Sequence, residues 1–588
     1  MLFHDSFDAF YRDPSGPAPA GSRITIRFRS DEARNVQLVT WRLKEEPVRS
    51  KMTRSGADLD VWSADFNVPE QPGLLWYSFE VTLPDGSVKR YGNAYDRLGG
   101  EGAVYEIGDV AGFQLTIYDP AYRTPGFMHG ANIYQIFPDR FCKAETAAVD
   151  DRTDRDMHET WDEDLLDRLP EYPVFHATNF YGGNLNGIAE KLPYLHALGV
   201  TVLYLNPIFK SHSNHRYDTG DYTQVDPLLG TNAEFGQLCE KAEAMGIRVI
   251  LDGVFSHTGE DSIYFNALGT YDSIGAAQSK DSLYYDWYFF DHYPHQYRCW
   301  WGVPSLPELD ETNPRYQEFI LNERNGIVPR WIRAGASGWR LDVADELPMP
   351  FLRRLRTAAK RARRDAVVLG EVWEDASDKV AYGETRCYCA GDTLDSVMNY
   401  PLRTAILDFV TGKSSAPDLV RLVKHQADVY PAPFRYALMN LIGSHDRARV
   451  LNILAGKEGA QLSLAQRKDV KLDPAEYAQA VEKYKLCVEL LCALPGCPTI
   501  YYGDEAGLTG CPDPFCRRTF PWGREDRDLT AFVSEKLNQR KDSPVLKYGF
   551  CDIAALDDDT VEIRRYFNGR DALGRKAAGK EAVFTLRR

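Results

Sequence analysis

No window of this 588-residue chain holds the roughly 18 uninterrupted apolar residues that a membrane span needs. The segment from Met1 to Asp5 has no basic n-region and no apolar h-region, so no secretion signal is expected and the chain is placed in the cytoplasm. No glycine-rich dinucleotide or phosphate loop follows any strand-like run, and a serine elbow and a His-Glu-x-x-His zinc pair are missing too. These absences argue against nucleotide, flavin, serine-hydrolase and zinc chemistry. Cysteines are odd in number at eleven and never spaced as C-x-x-C. Cys487, Cys492, Cys497, Cys511 and Cys516 lie in two clusters, but no nearby histidine completes a zinc site. They read as free thiols in a reducing cytosol. Basic residues are in deficit, 69 Lys and Arg against 85 Asp and Glu, for a formal net charge of −16. That balance argues against nucleic acid or an anionic membrane as partner and suits a neutral or cationic ligand.

Aromatics are plentiful, with 11 Trp, 33 Tyr and 28 Phe, a supply that serves sugar stacking and large cores equally. Residues 1–122 read as β-structure. Ile24, Ile26 and Phe28 alternate with polar neighbours, as do Leu75, Tyr77, Phe79, Val81 and Leu83, and turn signals follow at Pro84-Asp85-Gly86. Short strands at this spacing predict a β-sandwich of immunoglobulin-like topology. From residue 123 strands alternate with helices. Apolar runs at 133–137, 202–205, 249–254, 338–343, 367–372, 396–400, 437–442 and 499–502 are separated by amphipathic stretches such as 188–198, 233–245, 351–363 and 475–494. Eight such units over 123–541 predict a (β/α)8 TIM barrel, with an aromatic-rich insertion subdomain at about 258–312 after the third strand. A doubly wound sheet competes, but it lacks its phosphate loop. Residues 542–588 read as a short C-terminal β domain.

In such a barrel, chemistry collects where the strands end. The third run ends in Asp252 and leads to His257. The fourth carries Arg340, Asp342 and Glu346, the fifth Glu371 and Trp373, and the seventh leads to His445 and Asp446. Arg340 and Asp342 are two apart and so face the same side of their strand. One carboxylate at a strand end reads equally well as a helix N-cap. Three, with an arginine and two histidines, are costly to bury unless they serve a site. Paired carboxylates without a metal motif suit an acetal, which needs a protonated acid for the leaving oxygen and an anion to meet the anomeric carbon.

The blocks 252–257, 338–346, 370–373 and 443–446 resemble the four motif regions of the α-amylase family, glycoside hydrolase family 13. The resemblance extends to 134–141 (YQIFPDRF), to His215-Arg-Tyr217-Asp218, and to 498–505. Within the family the chain is most similar to the neopullulanase, cyclomaltodextrinase and maltogenic amylase group. The resemblance implies Asp342 as nucleophile, Glu371 as general acid/base and Asp446 as transition-state stabiliser. It implies that Arg340 holds Asp342 ionised, that His257 and His445 bind sugar hydroxyls, and that Tyr217 stacks on the ring. Asp252 and Glu346 join the substrate-binding set, and Trp373 is a candidate acceptor-side platform, with core packing as its alternative. The implied reaction is double displacement with retention, which needs the two reacting carboxyls about 5–5.5 Å apart. The implied substrates are short malto-oligosaccharides, cyclodextrins or pullulan, cut at α-1,4 linkages, with α-1,6 cleavage and some transglycosylation left open.

Departures from the family matter for metal and substrate. Ser256 stands where many relatives have a calcium-ligating asparagine, Asn184 where the Gly-Gly-Asp motif has aspartate, and Asp345 where the group has asparagine. Ser256 and Asn184 lead to the expectation of no obligatory calcium, and the lack of nucleotide, flavin and pyridoxal motifs to that of no organic cofactor. Two other readings stay open: an exo-acting α-glucosidase or oligo-1,6-glucosidase, and a non-catalytic glycan-binding relative. The N-terminal sandwich is either a homodimerisation element or a spacer and starch-binding unit.

Overall fold

Eight short parallel strands form a ring in the middle of the chain. They are β1 (Ile133–Ile136), β2 (Val202–Leu205), β3 (Arg248–Gly253), β4 (Gly338–Leu341), β5 (Val367–Gly370), β6 (Ser396–Val397), β7 (Met439–Leu441) and β8 (Cys497–Tyr501). The computed structural model describes residues 1–55, 60–106, 108–150, 152–163 and 177–588. Strand order is β6-β5-β4-β3-β2-β1-β8-β7, and a parallel bridge between Met398 and Met439 brings the two ends together. All eight apolar runs named from sequence carry these strands.

The two faces of each strand part company. Ile133, Val202, Tyr204, Ile250, Val367, Leu369, Met439, Leu441 and Cys497 point to a common interior cluster. Their neighbours Tyr134, Leu203, Val249, Trp339, Leu341 and Val368 pack outward against helices. Because side chains alternate, the inward register continues at the strand ends into Gln135, Asp252, Arg340, Asp342 and Glu371. The apolar interior stops and a polar mouth begins.

The helices that cover the ring include α1 (Asn232–Ala244), α2 (Met349–Ala362), α3 (Tyr400–Thr411), α4 (Ala416–Val429) and α5 (Pro474–Ala493). Along α2 the buried residues are Phe351, Leu352, Leu355, Ala358 and Ala359, a stripe at helical spacing. The stretch expected as one helix at 188–198 is two, Leu185–Glu190 and Leu192–Leu198, broken at Lys191. Pro193 has no N–H for the carbonyl four residues back and its ring crowds that carbonyl, so the helix restarts.

Ahead of the barrel lie two sheets, of five and seven strands among the described residues. Strands Arg23–Ser30 and Gly73–Thr82 contribute Ile24, Ile26, Phe28, Tyr77, Phe79 and Val81 to one buried cluster, the face the alternation predicts. The excursion between β3 and β4 is mostly turns around a hairpin, Phe290–His292 with Gln296–Tyr297. It is filled by rings such as Tyr264, Phe265, Trp287 and Tyr288, and its ends meet at a bridge between His257 and Glu308. The chain ends in three antiparallel strands, Phe550–Asp557, Thr560–Tyr566 and Glu581–Arg587. The first has no alternation to read, because Ile553 is its one buried residue. No helix among the described residues is long and apolar enough to cross a membrane.

Candidate active site

The strand ends open into a cleft of about 780 Å³ lined by Tyr217, His257, Asp342, Glu346, Glu371, Trp373, His445 and Asp446, among others. β4 and β5 are adjacent and Leu341 pairs with Gly370, so the next residues, Asp342 and Glu371, stand side by side. Neighbouring strands lie about 4.8 Å apart. One guanidinium spans the pair: Arg340 Nη1 donates to Asp342 Oδ1 at 3.0 Å, while Nη2 lies 2.7 Å from Glu371 Oε2. Glu371 also accepts from the Val343 amide (3.0 Å) and from the Trp373 indole (3.0 Å). Val343 reaches this position only in a left-handed conformation, φ 34 and ψ 67. For a β-branched residue that costs about 1–3 kcal/mol, strain the packed surroundings must hold in place.

Beneath this pair Asp252 accepts from Tyr204 (2.6 Å), Tyr217 (2.9 Å) and Arg340 (2.9 Å), with no side-chain exposure. Three buried carboxylates thus share one guanidinium. Burial pushes the Asp342 carboxyl well above the usual range; Arg340 opposes the rise and Glu371 adds to it. Asp252 is raised as well, burial again outweighing Arg340. Arg340 thus favours the ionised form of Asp342, in the direction expected of a neighbouring cation, while burial works against it.

Across the cleft, Gln135 donates its amide to His445 Nδ1 (2.8 Å). That fixes the imidazole proton on Nε2, which faces the Tyr217 hydroxyl (2.6 Å) and Asp446 Oδ1 (3.2 Å). Burial, with Arg517 and Arg340 nearby, holds His445 well below the ordinary histidine value and so neutral. Tyr217 lies parallel to His445, centroids 5.3 Å apart. Asp446, 32% exposed, is the open carboxylate of the group. His257 bonds Ser256 through Nδ1 (3.1 Å) and leaves Nε2 without a protein partner, on the cleft wall.

The α-amylase catalytic-domain profile matches residues 135–547. The chain belongs to the α-amylase family. It is 36% identical to the amylopullulanase of Thermoanaerobacterium saccharolyticum, an alignment that takes in all of this chain and 48% of that protein. The chain thus spans about half the length of that relative. It is 32% identical to neopullulanase 2 of Thermoactinomyces vulgaris over 79% of this chain and 71% of that one. Among solved structures it resembles the cyclic α-maltosyl-(1→6)-maltose hydrolase of Arthrobacter globiformis. That match has a TM-score of 0.63 and 32% identity, covering 76% of this chain and 90% of the other.

Two of the residues taken as substrate-binding sit elsewhere in this α-amylase-family site, and a third has its ring covered. Arg340 and Asp252 are 1% exposed and lie under the cleft floor, where they hold Asp342, Glu371 and Tyr217 rather than face a ligand. Trp373 is no open platform. Its ring stacks on Tyr400 (4.1 Å, 5°), the Arg447 guanidinium lies 4.4 Å from its centroid, and its N–H is spent on Glu371. Glu346 is at the rim, accepting from Trp301 Nε1 (2.9 Å) and from the Tyr382 hydroxyl. Trp301 and Tyr382 are highly exposed and come from two separate excursions, so no local pattern pairs them.

Asp513 and Arg517 also line the cleft and were missed. Arg517 donates to the His445 carbonyl (3.1 Å), pairs with Asp513 (3.0 Å) and reaches Asp446 at 3.7 Å. Opposite charges four residues apart were the one available signal. Of the positions weighed for calcium, Asn184 is engaged: its Oδ1 caps a helix by accepting from Gly187 N (2.8 Å) and its amide donates to the Ala144 carbonyl (2.5 Å). Among the described residues no group of three or more His, Cys, Asp or Glu could hold a metal.

Proposed function

We propose that this chain is a retaining α-glycoside hydrolase that cuts α-1,4 and α-1,6 glucosidic bonds in short malto-oligosaccharides, cyclodextrins or pullulan. The observation that carries the reading is the side-by-side placement of Asp342 and Glu371 on adjacent strand ends, both held by Arg340, with Asp446 facing the same cleft. Adjacent strand ends bridged by one guanidinium keep the two carboxyls close, as a direct nucleophile needs; an inverting pair would leave room for a water between the carboxyls.

In the first step the Asp342 carboxylate attacks the anomeric carbon while Glu371 passes a proton to the departing glycosidic oxygen. In the second, Glu371 takes a proton from water, whose oxygen displaces Asp342 from the same carbon. Two inversions return the α configuration. Asp446 and the neutral His445 hold hydroxyls of the reacting sugar, and Tyr217 supports its face. A second sugar arriving in place of water gives transglycosylation. No metal or organic cofactor enters these steps. The names of the relatives support the substrate class, and eleven free cysteines fit a reducing cytoplasm.

Product analysis on β-cyclodextrin, pullulan, maltotriose and starch, with and without EDTA, tests this. Ring opening and release of short oligosaccharides, at rates EDTA leaves unchanged, are expected. Glucose released stepwise from chain ends, with cyclodextrin untouched, would replace the reading by an exo-glucosidase, because an exo-enzyme has no end to start from on a ring.

A further inference from the structure

The loop that follows the acid/base strand is tied to the N-terminal β-domain, and the tie passes through one histidine. His425, on α4, directs Nδ1 at the Leu98 carbonyl of the N-terminal domain (3.1 Å) and Nε2 at Asp375 Oδ2 (2.6 Å). Both neighbours are acceptors, so both ring nitrogens carry protons and the side chain is an imidazolium. Burial works to lower the His425 value, but the bond to Asp375 and its charge outweigh burial and raise it. The pair holds Asp375 down to about 2 against its own burial.

Asp375 lies four residues beyond Glu371. Its other oxygen accepts from Tyr430 OH (2.9 Å), Ser377 N (2.8 Å) and Ser377 Oγ (2.7 Å). Gln114, on the N-terminal strand Phe113–Tyr118, donates to the same Ser377 hydroxyl at 2.9 Å. The segment 375–377 is therefore gripped from two sides by groups that the N-terminal domain supplies or orients. Next to His425, Gln426 exchanges two hydrogen bonds with Asn399 (2.7 and 3.2 Å), fixing the start of α3 where Tyr400 stacks on Trp373. Trp373 in turn donates to Glu371. The route from Leu98 and Gln114 to the acid/base carboxyl is contiguous, made of hydrogen bonds, the chain itself and one ring stack.

We propose that His425 and Gln114 are positioning residues: docking of the N-terminal domain through them sets the orientation of Glu371 as proton donor. This rests on the reading of Glu371 as the acid/base. Other contacts between the two parts do not reach residues 375–377. Arg12 pairs with Asp428, Ser6 bonds the same carboxylate at 3.1 Å, and Arg421 pairs with Asp96 at 2.6 Å; none of them touches the loop.

Leaving-group chemistry separates positioning from mere stability. Expelling a sugar alcohol needs a proton from Glu371, whereas fluoride leaves with little help. In the full-length protein, kcat/KM, which reports formation of the glycosyl-enzyme, is measured on maltotriose and on α-maltosyl fluoride. His425→Ala should lose on the order of tenfold on maltotriose and less than about threefold on the fluoride. Gln114→Ala should lose less, with the same substrate selectivity. Arg421→Ala, which breaks an attachment contact, should lower Tm and leave both rates near those of the parent. Equal losses on both substrates, or no loss on either, would overturn the proposal. Glu371→Gln run alongside separates the two ideas. If it lacks leaving-group dependence, the reading of Glu371 itself falls. If it shows that dependence and His425→Ala does not, only the positioning role falls.

Discussion

Asp342→Asn is expected to abolish turnover on every α-glucan, by about 10⁴-fold or more, in a protein that remains folded. The amide keeps the shape of the carboxyl and its bond to Arg340 is replaceable, since that guanidinium also meets Asp252 and Glu371. What is lost is the anion that attacks carbon. The same burial that makes Asp342 reactive makes it costly to ionise. Its folded value lies well above the ordinary 3.8, so its ionisation costs stability that is present at low pH and lost as pH rises through the raised value. Tm of Asp342→Asn at neutral pH should therefore be at or above that of the parent, measured by thermal unfolding. By the same sign, the parent's kcat/KM should fall with acidification at a pH well above that at which an exposed aspartate protonates. A folded Asp342→Asn with near-parental kcat would remove Asp342 from the reaction.

Glu371→Gln is the second large effect and has a different signature. Loss of the proton donor should cut kcat/KM on maltotriose by about 10²–10⁴-fold, while α-maltosyl fluoride, whose leaving group needs no proton, should lose little. The deglycosylation step still needs a base to activate water. Hence kcat on the fluoride should fall, and a rapid-quench experiment should show a burst of fluoride followed by slow turnover. Uniform loss on both substrates would mean that Glu371 binds or packs rather than transfers a proton.

The barrel was legible because its signals are local and periodic. Each strand is a short apolar run, and its inward register continues into Asp342 and Glu371; it was the resemblance to the α-amylase family that singled out these two and Asp446. What depends on distant parts of the chain meeting was not. Arg340 and Asp252 look like site residues in sequence, yet they lie below the floor, since a period of two gives a side and not a depth. Trp373 was weighed as a platform because nothing nearby in sequence shows that Tyr400 and Arg447 cover it. Trp301, Tyr382 and Glu346 meet across three loops, and Gln114 and His425 reach the segment behind Glu371 from opposite ends of the chain. Asp513 and Arg517 stood at readable spacing, but the loop after β8 carries no apolar period to mark it as part of the mouth.

The most direct measurement is to trap the intermediate. A ring-fluorinated α-maltosyl fluoride loads the enzyme quickly and turns over slowly, and peptide mass mapping locates the attached sugar. The account predicts one maltosyl unit in ester linkage to Asp342, lost when a sugar acceptor is added. A label on any other residue, or no label together with release of β-configured product, would contradict it.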